Sequence, residues 1–403
     1  MKWLCCFLVF CAALRGQSAG KWLADGQAAM NRGDAAGALA AFQKAAELQP
    51  SSFELHDRIG FLLAVLQRNA EARGEFQKAI ALNKDFPLAH FHLGVSYCLD
   101  KDYDRCISEL RAAAALDAGS FDAHFQLGNA LLDSGQYADA AGELKTATTL
   151  QPRNAPAWNR LGLAYQNLND LASAADAYGH AAEADPKDIG ARDNYGLMLV
   201  RTREPDKAIA EFKKVLAIDG ADQTALVNIG VAYMLKGDSE NAVGQLREAV
   251  RIAPDLALAH YSLALALKGK DDLDGAKTEL LKAIALDPDM AEAHYTLGIA
   301  YWQKADFDNA IAQMKEAIRV RKEYGEAWFI LGTALKQKGN LDDAIPALRE
   351  AARLRPEDPG PYNTLGQALR MKGDMEGSKA AFAQGAKAKA KIEAKLGTML
   401  SSK

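Results

Sequence analysis

The sequence predicts an all-α solenoid, a stack of antiparallel helix pairs, on three observations. A 34-residue pattern recurs eleven times without an insertion between Ala19 and Ile392. Inside each unit, small and large residues occupy fixed positions in the way two packed helices require. Glycine and proline punctuate each unit at the two places where a helix must end. The units begin at Ala19, Phe53, Pro87, Phe121, Ala155, Ile189, Gln223, Ala257, Ala291, Gly325 and Pro359.

Taken in order, residues 1–20 come first. Lys2 supplies a positive charge, and Trp3–Leu14 is an apolar run too short to span a bilayer of about 30 Å as a helix. A small-residue stretch from Arg15 to Gly20 follows. This is the make-up of a cleavable secretory signal peptide, so the chain is expected to be exported to the periplasm or outside the cell. The expected solenoid then fills residues 21–392.

Each unit divides into a first helix, about positions 2–14, and a second, about positions 17–30. Position 8 is glycine in ten units and Ala264 in the other. Glycine inside a helix is less favourable than alanine by about 1 kcal/mol, so its recurrence implies close approach of the second helix. Position 20 is small, mostly alanine, and position 24 is large, from Phe42 through Tyr178 to Phe382. The expectation is that position 20 meets the glycine and position 24 fills the gap beside it. Gly33, Gly135, Gly237, Gly339 and Gly373 end the first helix. Pro50, Pro152, Pro186, Pro254, Pro288 and Pro356 fall between units. Beyond Ile392, Leu396, Met399 and Leu400 have helical spacing, which predicts a capping helix or tail over residues 393–403.

The unit Ala155–Asp188 carries Trp158, Leu161, Gly162, Tyr165, Ala174, Tyr178, Ala181 and Pro186 in the pattern W-x2-L-G-x2-Y…A-x3-F-x2-A…P. In these residues the chain closely resembles the tetratricopeptide-repeat (TPR) family. The resemblance covers all eleven units. It implies a right-handed superhelix whose first helices line a concave groove, with positions 2, 5, 9, 12 and 13 reaching a bound ligand. Carried over residue by residue, it implies a partner-binding set of Phe61, Phe91, Val95, Phe125, Tyr261, Leu265, Tyr295, Ile299, Trp302 and Phe329. These form two apolar zones, in units two to four and eight to ten. A polar span with Asn159, Gln166, Asn167, Asp193, Asn194 and Arg201 separates them. The alternative is that the same side chains pack against the first helix of the next unit.

Other function classes find little support. A net charge of −4 offers no basic footprint for nucleic acid. No nucleotide loop, HExxH, CxxC pair or nucleophile elbow is present, so no enzyme, cofactor or metal is expected. His56, His90, His124, His260 and His294 all occupy position 4, which marks them as packing residues. Cys98 and Cys106 fall in one unit at positions 12 and 20. A disulfide between them is conceivable in an oxidising compartment, against an offset of about 6 Å along the helix. The expected function is a non-enzymatic scaffold that binds a protein or peptide segment. The alternative is a self-associating structural protein of the cell envelope.

Overall fold

A computed structural model describes residues 19–401. The leader expected over residues 1–20 lies, through residue 18, outside the described residues. The described part is helical throughout, and its helices follow the 34-residue units. First helices are 19–31, Phe53–Val65, Pro87–Leu99, Phe121–Asp133, Ala155–Asn167, Ile189–Arg201, Gln223–Lys236, Ala257–Gly269, Ala291–Gln303, Gly325–Gln337 and Pro359–Met371. Second helices are Ala35–Leu48, Asn69–Leu82, Tyr103–Leu116, Tyr137–Leu150, Leu171–Ala184, Pro205–Ile218, Ser239–Ile252, Leu273–Leu286, Phe307–Val320, Leu341–Leu354 and Met375–Ser401. They group into two compact halves, through Thr202 and from Arg203. Within each half every helix packs on the next in sequence, and several first helices also touch the first helix of the following unit. The architecture is the all-α TPR solenoid that the sequence predicts.

Local chemistry sets the helix ends. Asp34, Asp102, Asp170, Asp238, Asp272 and Asp306, all at position 16, cap second helices by accepting from the backbone N–H three residues on. Such a cap contributes about 1 kcal/mol. Ser52, Ser120, Asn154, Asp188 and Asp222 do the same at the head of first helices. One residue before the position-16 caps, the backbone is left-handed in every unit. Five units use glycine there, while Gln67, Lys101, Asn169, Arg203, Asp271 and Ala305 hold φ between 58° and 64°. The turn geometry is thus uniform where the sequence is not.

The glycine row has a different partner from the expected one. A Cβ on Gly60 would lie 2.6 Å from the Phe76 ring and 3.1 Å from the Ala72 carbonyl oxygen. On Gly162 it would lie 2.7 Å from the Tyr178 ring, and on Gly230 2.4 Å from Leu246. The large side chain at position 24 therefore sits on the glycine itself, and position 20 contributes backbone behind it. Phe42, Phe76, Leu110 and Leu144 in the first half, and Leu246 in the second, are fully buried this way. Burial of each such side chain stabilises by about 1.5–3 kcal/mol.

In the C-terminal half, a lysine at position 14 pairs with the acid at position 18 of the preceding unit in five consecutive steps. Lys236 meets Asp206 at 2.6 Å, Lys304 meets Asp274 at 2.9 Å and Lys372 meets Asp342 at 2.6 Å. Lys270 with Glu240 and Lys338 with Asp308 complete the series.

The last second helix runs unbroken from Met375 to Ser401, where the sequence reading set a separate capping segment at 393. Nothing breaks the helix there, because the Ala- and Lys-rich stretch Ala386–Lys395 has high helix propensity and no proline. Lys395 bonds Glu357 of the preceding turn at 2.8 Å.

Candidate functional site: the first-helix face

Positions 2, 5, 9 and 13 of a first helix are spaced i, i+3, i+7, i+11 and so share one face. In the N-terminal half this face carries four of the six large exposed apolar side chains of units two and three, the other two being Leu82 and Leu116 at the ends of second helices. Phe61 is 42% exposed, Val65 55%, Leu88 45% and Leu99 69%. Of these only Phe61 belongs to the expected set. The others were missed, although positions 2 and 13 lie on the same helical face. Phe91 and Val95 are half-buried against the core. His92 sits among the rings of Phe61, Phe76 and Phe91 at 5.5, 5.3 and 5.7 Å, with its Nδ1 2.8 Å from the buried Asp57 carboxylate. That pair ties unit three to unit two beneath the exposed stripe. Phe125 stacks on Phe121 at 5.4 Å. Beyond it, Asn129 and Asn159 each hold a buried side-chain oxygen with no hydrogen-bond partner. Gln166 accepts from the Tyr178 hydroxyl at 3.0 Å, and burial pushes that hydroxyl's pKa up to about 12.

In the C-terminal half, Tyr261, Leu265, Tyr295, Ile299 and Phe329 are half-buried. Tyr295 and Ile299 pack against the core of unit ten, and Phe329 against that of unit eleven. Tyr295 lies 4.9 Å from the Tyr324 ring, and burial holds both hydroxyls above the usual tyrosine range. Trp302 is half-buried, and its Nε1–H is withdrawn from solvent without an acceptor. The indole forms part of the wall and does not project from it. The expected residues thus line the face in both halves, mostly as walls. The freely exposed apolar groups stand beside them at positions 2 and 13, including Leu258 and Met371.

The position-4 residues follow a rule that the sequence reading passed over. His56, His90, His124 and His260 place Nδ1 2.5–2.6 Å from a glutamate at position 23 of the same unit: Glu75, Glu109, Glu143 and Glu279. His294 meets Gln313 there at 2.8 Å. Where position 4 is aromatic, as in Trp22, Trp158, Trp328 and Tyr362, position 23 is alanine. In most of these units the far end of the position-4 side chain reaches the backbone carbonyl six residues back, whereas His124 Nε2 has no partner among the described residues and Tyr362 donates to Ala352. His56 Nε2 reaches Pro50 at 3.2 Å, Trp158 donates to Pro152 at 2.9 Å and Trp328 donates to Lys322 at 2.8 Å. In the units with histidine at position 4, that residue thus rivets the first helix to its own second helix, and in His56, His90, His260 and His294 also to the turn before it. Matching the two positions in the sequence would have revealed this.

Alanine at position 23 also leaves room on the second-helix side. A cleft of about 630 Å3 opens beside Trp158, Tyr165 and Ala177, and one of about 440 Å3 lies at the corresponding positions beside Tyr362, Leu369 and Ala381. Cys98 and Cys106 are bonded, with Cα atoms 5.2 Å apart. The close approach of the two helices at Gly94, where a Cβ would lie 2.8 Å from Leu110, brings them together despite the axial offset. Among the described residues no helix is long and apolar enough to cross a membrane.

Comparison with known proteins fits this geometry. Residues 58–295 match the family described as the C-terminal domain of cilia and flagella-associated protein 70, a TPR domain. Residues 295–359 and 331–391 match the tetratricopeptide repeat. No curated protein matches the chain. Among solved structures, YrrB, described as a TPR protein with an unusual peptide-binding site, is 26% identical. The match covers 46% of this chain and 95% of that one, with a TM-score of 0.42. MamA from Desulfovibrio magneticus RS-1 is 25% identical over 42% of this chain and 96% of its own, with a TM-score of 0.39. Yeast Tom70 is 13% identical over 96% of this chain and 95% of its own, with a TM-score of 0.49.

Proposed function

The chain belongs to the tetratricopeptide-repeat family, and on that premise we propose that it is a non-enzymatic protein–protein interaction scaffold, exported from the cell, that holds a partner segment on its first-helix face. The observation that carries the reading is the stripe of Phe61, Val65, Leu88 and Leu99. Several apolar side chains this exposed on one helical face mark an interaction site. They stand on rigid helices whose own packing is satisfied elsewhere. The half-buried Phe91, Val95 and Phe125 supply walls for an inserted apolar anchor.

The test places a photo-crosslinker at Leu99, and separately at Lys78 on a second helix, in the producing cell. Capture of a partner from Leu99 and not from Lys78 is expected. Capture from Lys78 alone places the docking face on the other side. Capture only of a second copy of this chain, with a mass that rises with concentration in light scattering, replaces the scaffold by a self-associating structural protein. Export is read separately, by fusing residues 1–30 to a phosphatase active only outside the cytoplasm. An inactive fusion removes that part of the proposal.

A further inference from the structure

The C-terminal half carries two rows of cations on its first helices, and they differ in one respect. The position-14 lysines, Lys236, Lys270, Lys304, Lys338 and Lys372, are each spoken for by a carboxylate of the preceding unit. Two residues earlier, position 12 holds Lys268, Trp302, Lys336 and Arg370 in units eight to eleven. None of these three cations forms an ion pair with a described residue. Lys336 donates instead to the amide oxygen of Gln367 at 2.6 Å. Gln367 is at position 9 of the next unit, so this bond places position 12 on the first-helix face. Burial lowers the Lys336 pKa, as expected of a half-buried ammonium without a carboxylate. The acids of the same face, Glu292 and Glu326, are taken by Arg321 and Arg355. In the N-terminal half position 12 holds no charge at all: Met30, Ala64, Cys98, Leu132, Gln166 and Val200.

The geometry points to an acidic, extended segment of a partner protein as the occupant of this strip, its carboxylates on Lys268, Lys336 and Arg370 and an apolar side chain against Trp302 and Ile299. This rests on the proposed reading of the first-helix face as a docking surface, and adds the chemistry of the partner. Adjacent packed helices stand about 10 Å apart, and an extended chain advances about 3.3 Å per residue. The acidic residues are therefore spaced by about six and then about three positions, with the apolar one midway along the longer interval.

The probe is a fluorescein-labelled peptide with glutamates and one leucine at that spacing in a Ser/Gly background, titrated into the full chain by fluorescence anisotropy. Its reversed sequence, its Gln-for-Glu counterpart and a (dT)12 oligonucleotide are measured alongside. The glutamate peptide is expected to bind in one chain direction. Its binding should weaken roughly tenfold in K268Q/K336Q/R370Q, as three partly screened contacts would give, and should weaken with salt. Lys268 and Arg370 are exposed and Lys336 is half-buried, so the melting temperature of the triple variant checks its fold, and K268Q/R370Q, expected to weaken binding by a smaller factor, serves where Lys336→Gln lowers it. Equal binding by the glutamine peptide, an unaffected triple variant, or no binding of any glutamate peptide overturns the acidic-partner assignment. Tighter, equally variant-sensitive binding of (dT)12 overturns it in favour of nucleic acid. A photo-crosslinker at Gln303, on the first-helix face, separates this from failure of the underlying reading. If a bound glutamate peptide is captured from Lys315 on the second helix and not from Gln303, the docking face itself is wrong.

Discussion

Single residues in this chain are held to two demands that opposing substitutions separate. Gly60 and Gly142 are both helical glycines, yet their surroundings differ. A Cβ at Gly60 meets the rigid Phe76 ring with the Ala72 carbonyl behind it, while a Cβ at Gly142 meets nothing within 4 Å. Gly60→Ala is expected to destabilise by about 1–3 kcal/mol through overpacking. Gly142→Ala should stabilise by about 0.5–1 kcal/mol through helix propensity. Urea unfolding of the two variants checks the opposite signs, and equal effects would refute the packing account. Ala264 shows the limit of the rule: it occupies the glycine position in the unit whose position 24 is Leu280, and both are buried. The left-handed turn makes the converse demand. Ala305 sits at φ 58°, a region that disfavours a Cβ by about 1–2 kcal/mol. Ala305→Gly should therefore raise stability by about 0.5–1 kcal/mol, after the entropy of the more flexible unfolded chain is deducted. A fall in the urea midpoint would show that the turn carries no strain.

Between the two helices of a unit, the pairing of position 4 with position 23 is the interaction most open to a direct test. Ala177→Glu alone places a carboxylate against the Trp158 indole at a site now 1% exposed. A loss of about 2–3 kcal/mol is expected. Adding Trp158→His recreates the arrangement of His56 with Glu75 and should return about 1–2 kcal/mol, a coupling that a double-mutant cycle reads directly. Additive effects would mean that the two positions are independent. The same pair shows what was legible in the sequence and what was not. The repeat period, the glycine row, the turn residues and the helix bounds follow from regular spacing, and the fold came with them. The rivet did not, because its partners lie 19 residues apart on different helices, and only their joint variation from unit to unit betrays them. The candidate face was half legible. Position 5 and position 9 side chains were identified, but Trp302 is sunk into the wall. The exposed Val65, Leu88 and Leu99 carry ordinary aliphatic side chains, and nothing in their residue type separates surface from core.

At the level of the whole chain, paired carboxylates set the response to acid. Burial pushes the Glu75 and Glu279 carboxyls up. Hydrogen bonds from Lys78 and His56, and from Lys282 and His260, outweigh it, so both titrate below the ordinary value of 4.5. A carboxyl whose pKa is lower folded than unfolded contributes stability that is present above the unfolded value and lost as pH falls through the folded one. Urea midpoints should therefore fall with acidification below about pH 4.5, and E75Q/E279Q should show a shallower fall. An unchanged slope would place the acid sensitivity in other groups. The rivet between positions 4 and 23 has a further consequence at this scale. Both partners lie inside one 34-residue unit, so every unit that has the pair carries both halves of it. A gene that duplicates, loses or transposes one whole unit never separates histidine from glutamate or tryptophan from alanine. Unequal crossing-over can therefore lengthen or shorten the array without breaking this pair, whereas contacts between units, such as His92 with Asp57, have to be re-formed at each new junction.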